Sequence, residues 1–306
     1  MTTIATIDGL AKAIGIPKYA LTRYVFKAHR LYKTFRIGKP SGHGYRTINA
    51  PSAELKGLQR WIVKYILRAV PLHVAATAFR PGCSIVKNAA PHIGRDFVFN
   101  ADIREYFPSI TSRRVFGLFR GLGFADEVAF AFTQLTTRGG ELPQGAPTSP
   151  ELANIIARRL DGRLSGLCQR RGWSYTRYCD DITVSGNGAL GGAQRTIEAI
   201  IASEGFEGNP KKTRVHRRGQ SQMVTGLVVN EFPNVPKSQR HRWRAIFHQA
   251  DLHPDRFGAR SQELRGYVSF LRMVRPSDPA LIRYETIVHA CESAPVATGA
   301  TPAATV

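Results

Sequence analysis

Residues 178 to 181 read Tyr-Cys-Asp-Asp, two carboxylates side by side in a chain of 306 residues that holds 43 Lys and Arg against 22 Asp and Glu. Adjacent like charges repel and strands are depleted in Asp, so acids set between the short runs WSYTRY and ITVSG call for a positive counterpart. Asp102 closes a third such run, RDFVFNADI. Carboxylates carried on separate strands hold pairs of divalent cations, about 3.5–4 Å apart, for phosphoryl transfer onto nucleotides. Asp102, Asp180 and Asp181 are therefore the candidate catalytic residues and metal ligands, and a Mg²⁺ pair is the expected cofactor. Bound cations would offset the repulsion and keep the acids ionised.

These acids need elements that bring them to one sheet edge. RDFVFNADI alternates Phe97, Phe99 and Ala101 against Val98, Asn100 and Asp102, the pattern of a strand ending in an acid. The runs flanking Asp180 and Asp181 predict a tight hairpin with both acids at its tip. Leading into it, TSPELANIIARRLDGRLSGLCQRRG predicts one helix, with Ser149 as N-cap, Pro150 at the first helical position, and Gly172 as the stop. Leu152, Ile156, Leu160 and Leu164 share one stripe of that helix. A second helix is expected from Ala53 to Val70, where Leu55, Leu58, Ile62, Tyr65 and Ile66 recur at helical spacing before Pro71. Others are expected from about Ser112 and in GAQRTIEAIIASEG, and QMVTGLVVN is expected as a single short strand. Residues 291–306, which end in the uncharged SAPVATGATPAATV, read as a disordered tail.

The net charge of +21 implies a polyanionic partner, because Lys and Arg bound to phosphates release condensed counterions. Solubility alone needs a net charge of only about 2–8 in magnitude for a small domain. Nucleic acid is the first candidate. A composition of 43% hydrophobic and 21% charged residues argues against disorder as the default. No run approaches the roughly 18 apolar residues of a membrane span, and MTTIATIDGLAKAIGIPKYA lacks the basic-then-apolar order of a secretory signal, so a cytoplasmic location is expected. Cys83, Cys168, Cys179 and Cys291 form no CxxC pair, which leaves reduced thiols as the expectation.

More telling than the acids alone is what surrounds them in order. NADIREYFPSI precedes, LPQGAPTSPELANIIARRLD lies between, and NPKKTR and VTGLVVN follow. In this order the chain resembles the reverse transcriptases, and more narrowly the bacterial retron reverse transcriptases. Asp102-Ile103-Arg104-Glu105-Tyr106-Phe107 is similar to the family's D-I-x-x-F-F segment, Pro143-Gln144-Gly145 to its P-Q-G turn, and Tyr178 to Asp181 to its Y-x-D-D hairpin. Asn88-Ala89-Ala90-Pro91-His92 and Val224-Thr225-Gly226 resemble the retron blocks N-A-x-x-H and V-T-G. The likeness spans roughly residues 35 to 275. Tyr106 stands where Phe is more usual and Cys179 where Ala is commoner, and neither departure alters the carboxylates.

The resemblance implies an α+β right-hand polymerase: N-terminal helices and fingers over 1–95, a palm with a small antiparallel sheet over 96–232, and a helical thumb over 233–290. A fingers insertion would fall at about 120–145. It implies an RNA-directed DNA polymerase that uses Mg²⁺ and dNTPs. Phe107 is then the bulky group that blocks a ribose 2′-OH, Gln144 lies against the incoming nucleotide, and Arg46 of GYRTINAP grips its triphosphate. Lys212 is the lysine that protonates leaving pyrophosphate, with Lys211 as an immediate rival. Asn88, His92, Val224, Thr225 and Gly226 are implied in RNA recognition. One cognate noncoding RNA would supply template and primer, with priming at a guanosine 2′-OH. The product would be a branched RNA–DNA hybrid serving antiphage defence with an effector protein encoded nearby. The alternatives are a reverse transcriptase of another bacterial lineage (group II intron-like, diversity-generating or abortive-infection type) and a non-catalytic RNA-binding scaffold, against which the intact acids argue.

Overall fold

The computed structural model describes residues 4–39 and 44–294. In chain order the elements are helices α1 (Ile7–Ile14) and α2 (Lys18–Lys27), strands β1 (Tyr32–Gly38) and β2 (Tyr45–Pro51), and helices α3 (Ala53–Tyr65) and α4 (Ile85–Ala89). Strand β3 (Phe97–Asp102) is followed by α5 (Ser112–Gly121), α6 (Asp126–Thr136), α7 (Ser149–Ile156) and α8 (Arg158–Arg170). Next come β4 (Ser174–Tyr178), β5 (Asp181–Gly186), α9 (Ala193–Ser203), β6 (Arg214–Arg217), β7 (Met223–Val224) and β8 (Leu227–Val228). The chain then turns helical: α10 (Lys237–Leu252), α11 (Pro254–Phe257), α12 (Ser261–Val274) and α13 (Ala280–Ser293).

Local chemistry accounts for many of these limits. Hydroxyls of Thr6, Ser52 and Thr111 accept the free backbone N–H groups that open α1, α3 and α5. The expected N-cap Ser149 is instead the first residue of α7, because its hydroxyl donates to the Pro143 carbonyl, 2.7 Å away, and Thr148 takes the cap position. The single helix expected from there is interrupted at Ala157, which separates α7 from α8. β3 is buried along both faces except at Asn100, so its alternation does not sort core from solvent. QMVTGLVVN is not one strand but the hairpin β7–β8, with Val224 paired to Leu227 and Thr225-Gly226 as the turn. Both turn residues have positive φ, 47° and 80°, as the tightest hairpin turns require. Helix α13 runs through Cys291–Ser293, residues expected in the tail, while residues 295–306 lie outside those described.

Four strands form a sheet in the order β4-β5-β3-β6, and β1–β2 and β7–β8 are separate antiparallel hairpins. The chain divides into two compact units, one of residues 1–83 and 99–215, the other of 84–98 and 216–306. In the first unit the rings of Phe119, Phe124 and Phe132 cluster, the last two edge to face at 5.1 Å. In the second, Trp243, Phe247, Leu264, Leu271 and Ile287 share a core with Val224 and Leu227 of the small hairpin. No helix among the described residues is long and apolar enough to cross a membrane.

Candidate active site

The acids meet because the sheet order places β3 beside β5. The Ile103 N–H donates to the Asp180 carbonyl at 2.9 Å, which ties the end of β3 to the β4–β5 turn and sets Asp102 next to Asp180. Tyr178 pairs with Asp181, so Cys179 and Asp180 are the turn and Asp181 opens β5, as the hairpin reading expects. The loop after α9 closes the other side: the Asn209 N–H donates to the Asp102 carbonyl at 2.7 Å, and Lys212 Nζ lies 2.6 Å from Asp102 Oδ2. Lys211 points its backbone N–H at Asn209 Oδ1 instead, which separates the two rival lysines.

Electrostatics mark the same point. Burial, reinforced by the neighbouring Asp102 carboxylate, raises the Asp180 pKa above the usual carboxylate range. Asp181 opens to solvent on one side, yet the protein around it, together with Asp180 and Asp102, pushes its carboxyl up to about 6. The hydrogen bond to Asp102, with the other two acids, holds the Lys212 ammonium above its ordinary value.

Among the described residues, no three His, Cys, Asp or Glu side chains are grouped closely enough in this structure to hold a metal ion. The cation on Asp102 is the Lys212 ammonium. The donor set nevertheless suits a hard divalent ion, being carboxylate oxygen throughout. The repulsion that raises Asp180 and Asp181 is what such an ion would relieve.

The expected nucleotide-contacting residues fall in the same unit. Phe107 is half-buried, its ring 6.3 Å from Phe79 and 5.6 Å from Tyr106. The Gln144 carbonyl accepts the Asn49 N–H at 2.7 Å, so the Pro-Gln-Gly turn is bound to β2, the strand that carries exposed Arg46. Gly145 is required there: its φ is 120°, and an added Cβ would stand 2.9 Å from the Asn49 carbonyl.

The five residues implied in RNA recognition gather in the second unit, but three of them face inward. Asn88, His92 and Val224 are 1%, 0% and 0% exposed. Asn88 Nδ2 lies 3.4 Å from Thr225 Oγ1, which itself donates to the Ile85 carbonyl, so the two retron-like blocks interlock. Burial, with a smaller effect from Arg95, pulls the His92 imidazole down to about 3, which keeps it neutral. Only Gly226 is exposed, and Thr225 partly so.

Sequence reasoning passed over the largest fully buried side chain, Arg177, and its partner Asp161. The signals available were an Arg directly before the acid tetrad and an Asp beside the apolar stripe of ARRLDGRL.

Comparison with known proteins identifies the family. The family described as reverse transcriptase (RNA-dependent DNA polymerase) matches residues 37–229. The chain belongs to the reverse transcriptase family and is an RNA-directed DNA polymerase. More narrowly, it is similar to retron reverse transcriptases. It is 38% identical to the retron Mx65 reverse transcriptase of Myxococcus xanthus, over 89% of this chain and 69% of that protein. To the retron Ec86 reverse transcriptase of Escherichia coli it is 35% identical, over 88% and 84%. To the Myxococcus xanthus retron Mx162 reverse transcriptase it is 35% identical, over 90% and 65%.

Proposed function

We propose that this chain copies one cognate structured noncoding RNA into single-stranded DNA, and that the product is a branched RNA–DNA hybrid used in antiphage defence with an effector encoded nearby. The observation that carries the catalytic part is the meeting of Asp102, Asp180 and Lys212 at one sheet edge, with the Lys212 ammonium 2.6 Å from Asp102. Retron names on the similar proteins support the choice of a noncoding RNA template. In this reading β1–β2 belongs to the fingers, the four-stranded sheet to the palm, and α10–α13 to the thumb. The protein works in the bacterial cytoplasm.

Each residue then has a task. Asp102, Asp180 and Asp181 would hold Mg²⁺, which would polarise the primer hydroxyl and the α-phosphate. Lys212 supplies a proton to the departing pyrophosphate. Phe107 closes the space a ribose 2′-OH would need, Gln144 lines the nucleotide, and Arg46 offers its fork of donors to the triphosphate. RNA recognition falls on the Thr225-Gly226 turn, where Gly226 is exposed, and Asn88 supports that turn from within, while His92 and Val224 lie buried in the same unit.

Expression of the chain together with its native upstream DNA tests the reading. A short RNase-resistant DNA with a branched RNA end is expected from the wild type and not from Asp180→Asn/Asp181→Asn. Extension of a generic primer on RNA by the purified protein, with no such DNA in cells, would keep the polymerase and remove the retron assignment.

A further inference from the structure

The turn that presents Asp180 is held in a conformation its sequence does not favour. Cys179, the first of its two central residues, has φ 60°, a position where such turns select glycine. Its carbonyl accepts Arg177 Nη1 at 2.9 Å from beneath. That guanidinium cannot swing away. Its Nε and Nη2 form a two-pronged contact with Asp161 Oδ1 and Oδ2 at 2.8 and 2.7 Å, and Nη1 also donates to Asn154 Oδ1 and the Tyr106 hydroxyl. Tyr175 donates to Asp161 Oδ1 at 2.7 Å, and Tyr106 in turn donates to the Ala153 carbonyl. Both charged side chains are 0% exposed. Even the Arg177 backbone is pinned, its N–H to Ala75 and its carbonyl to Thr77.

Stability gives no sufficient reason for such a pair. Taking two ions out of water consumes most of their attraction, and well-packed apolar residues often do as well. Geometry gives one: the planar fork satisfies the carboxylate with one edge and leaves Nη1 aimed at the turn. The hydroxyl of Tyr106, where Phe is more usual, completes the set of acceptors.

We propose that Arg177, oriented by Asp161, is a positioning residue that fixes the left-handed turn at Cys179 and so aims Asp180 into the catalytic site. The proposal rests on the reading of Asp180 and Asp181 as catalytic. A lysine at 177 keeps the charge but is a point donor that cannot serve both Asp161 and the Cys179 carbonyl. Glycine at 179 adopts φ 60° without strain and lessens the need for the restraint.

Single-nucleotide incorporation on an RNA template, with melting temperature measured alongside, tests this. Arg177→Lys should lower kcat by about tenfold or more with KM for dNTP nearly unchanged, as misplacement of a reacting group does. Adding Cys179→Gly to that variant should restore most of kcat, which repair of a merely structural defect would not do. Wild-type kcat in Arg177→Lys, or loss of kcat that follows the melting temperature and is not restored by Cys179→Gly, would overturn the proposal. Asp180→Asn run in parallel checks the underlying reading separately: it should be inactive, and an active Asp180→Asn would overturn the assignment of Asp180 itself.

Discussion

Lys212 Nζ sits 2.6 Å from Asp102 Oδ2, while Lys211, one residue earlier, meets the same loop only through its backbone. Of two lysines that the sequence leaves equivalent, one therefore touches the carboxylates. Lys212→Ala should lower kcat for nucleotide incorporation by about 100-fold or more, the usual contribution of a placed proton donor, and Lys211→Ala by no more than about threefold. Rapid-quench measurement of single turnovers checks it, and the reverse ranking would contradict the assignment.

Phe107 is half-buried against Tyr106 and Phe79 and so keeps a defined edge toward solvent. Phe107→Ala should raise the ratio of ribonucleotide to deoxynucleotide kcat/KM by about 10-fold or more, the scale on which steric pockets discriminate. If instead both kcat/KM values fall together, the ring is a packing residue.

Buried Asn88 holds Thr225 from within the second unit. Asn88→Ala should lower unfolding stability by about 1–3 kcal/mol, the consequence of leaving buried partners unmatched. The salt dependence of RNA binding should stay unchanged, because no phosphate contact is removed. A shallower salt slope with intact stability would make Asn88 a direct RNA contact.

His92 has a folded pKa of about 3, below the roughly 6.5 of an unfolded imidazole. Between these values the unfolded chain binds the additional proton, so the His92 contribution is complete above about pH 6.5 and is lost as pH falls toward 3. The slope is at most about 1.4 kcal/mol per pH unit. In urea unfolding at pH 7.5 and pH 5, wild type should lose more stability than His92→Gln, and equal losses would contradict the assignment.

The sequence made the acid-bearing sheet edge readable because its signals are local. Alternation names β3, a three-residue gap between strand runs, Cys179 to Asp181, names the β4–β5 hairpin, and Pro150 marks the start of α7 to within one residue. Partners distant in sequence were not readable. Nothing in ARRLDGRL or TRYCDD says that Asp161 and Arg177 share a buried contact, since each type is ordinarily a surface residue. QMVTGLVVN hid a hairpin because its strands are two residues each, too short for a period to register, and only the Thr225-Gly226 pair signals the turn. His92 read as an RNA contact through resemblance, and its 0% exposure became visible only with the second unit folded around it.

Primer extension on an RNA template by the purified protein with Mg²⁺ and dNTPs tests the central claim most directly, comparing wild type with Asp102→Asn, Asp180→Asn and Asp181→Asn. Wild type should extend the primer, and the Asp102 and Asp180 variants should bind the same template with no extension. Extension by either variant at the wild-type rate would contradict the assignment of this sheet edge as the catalytic site.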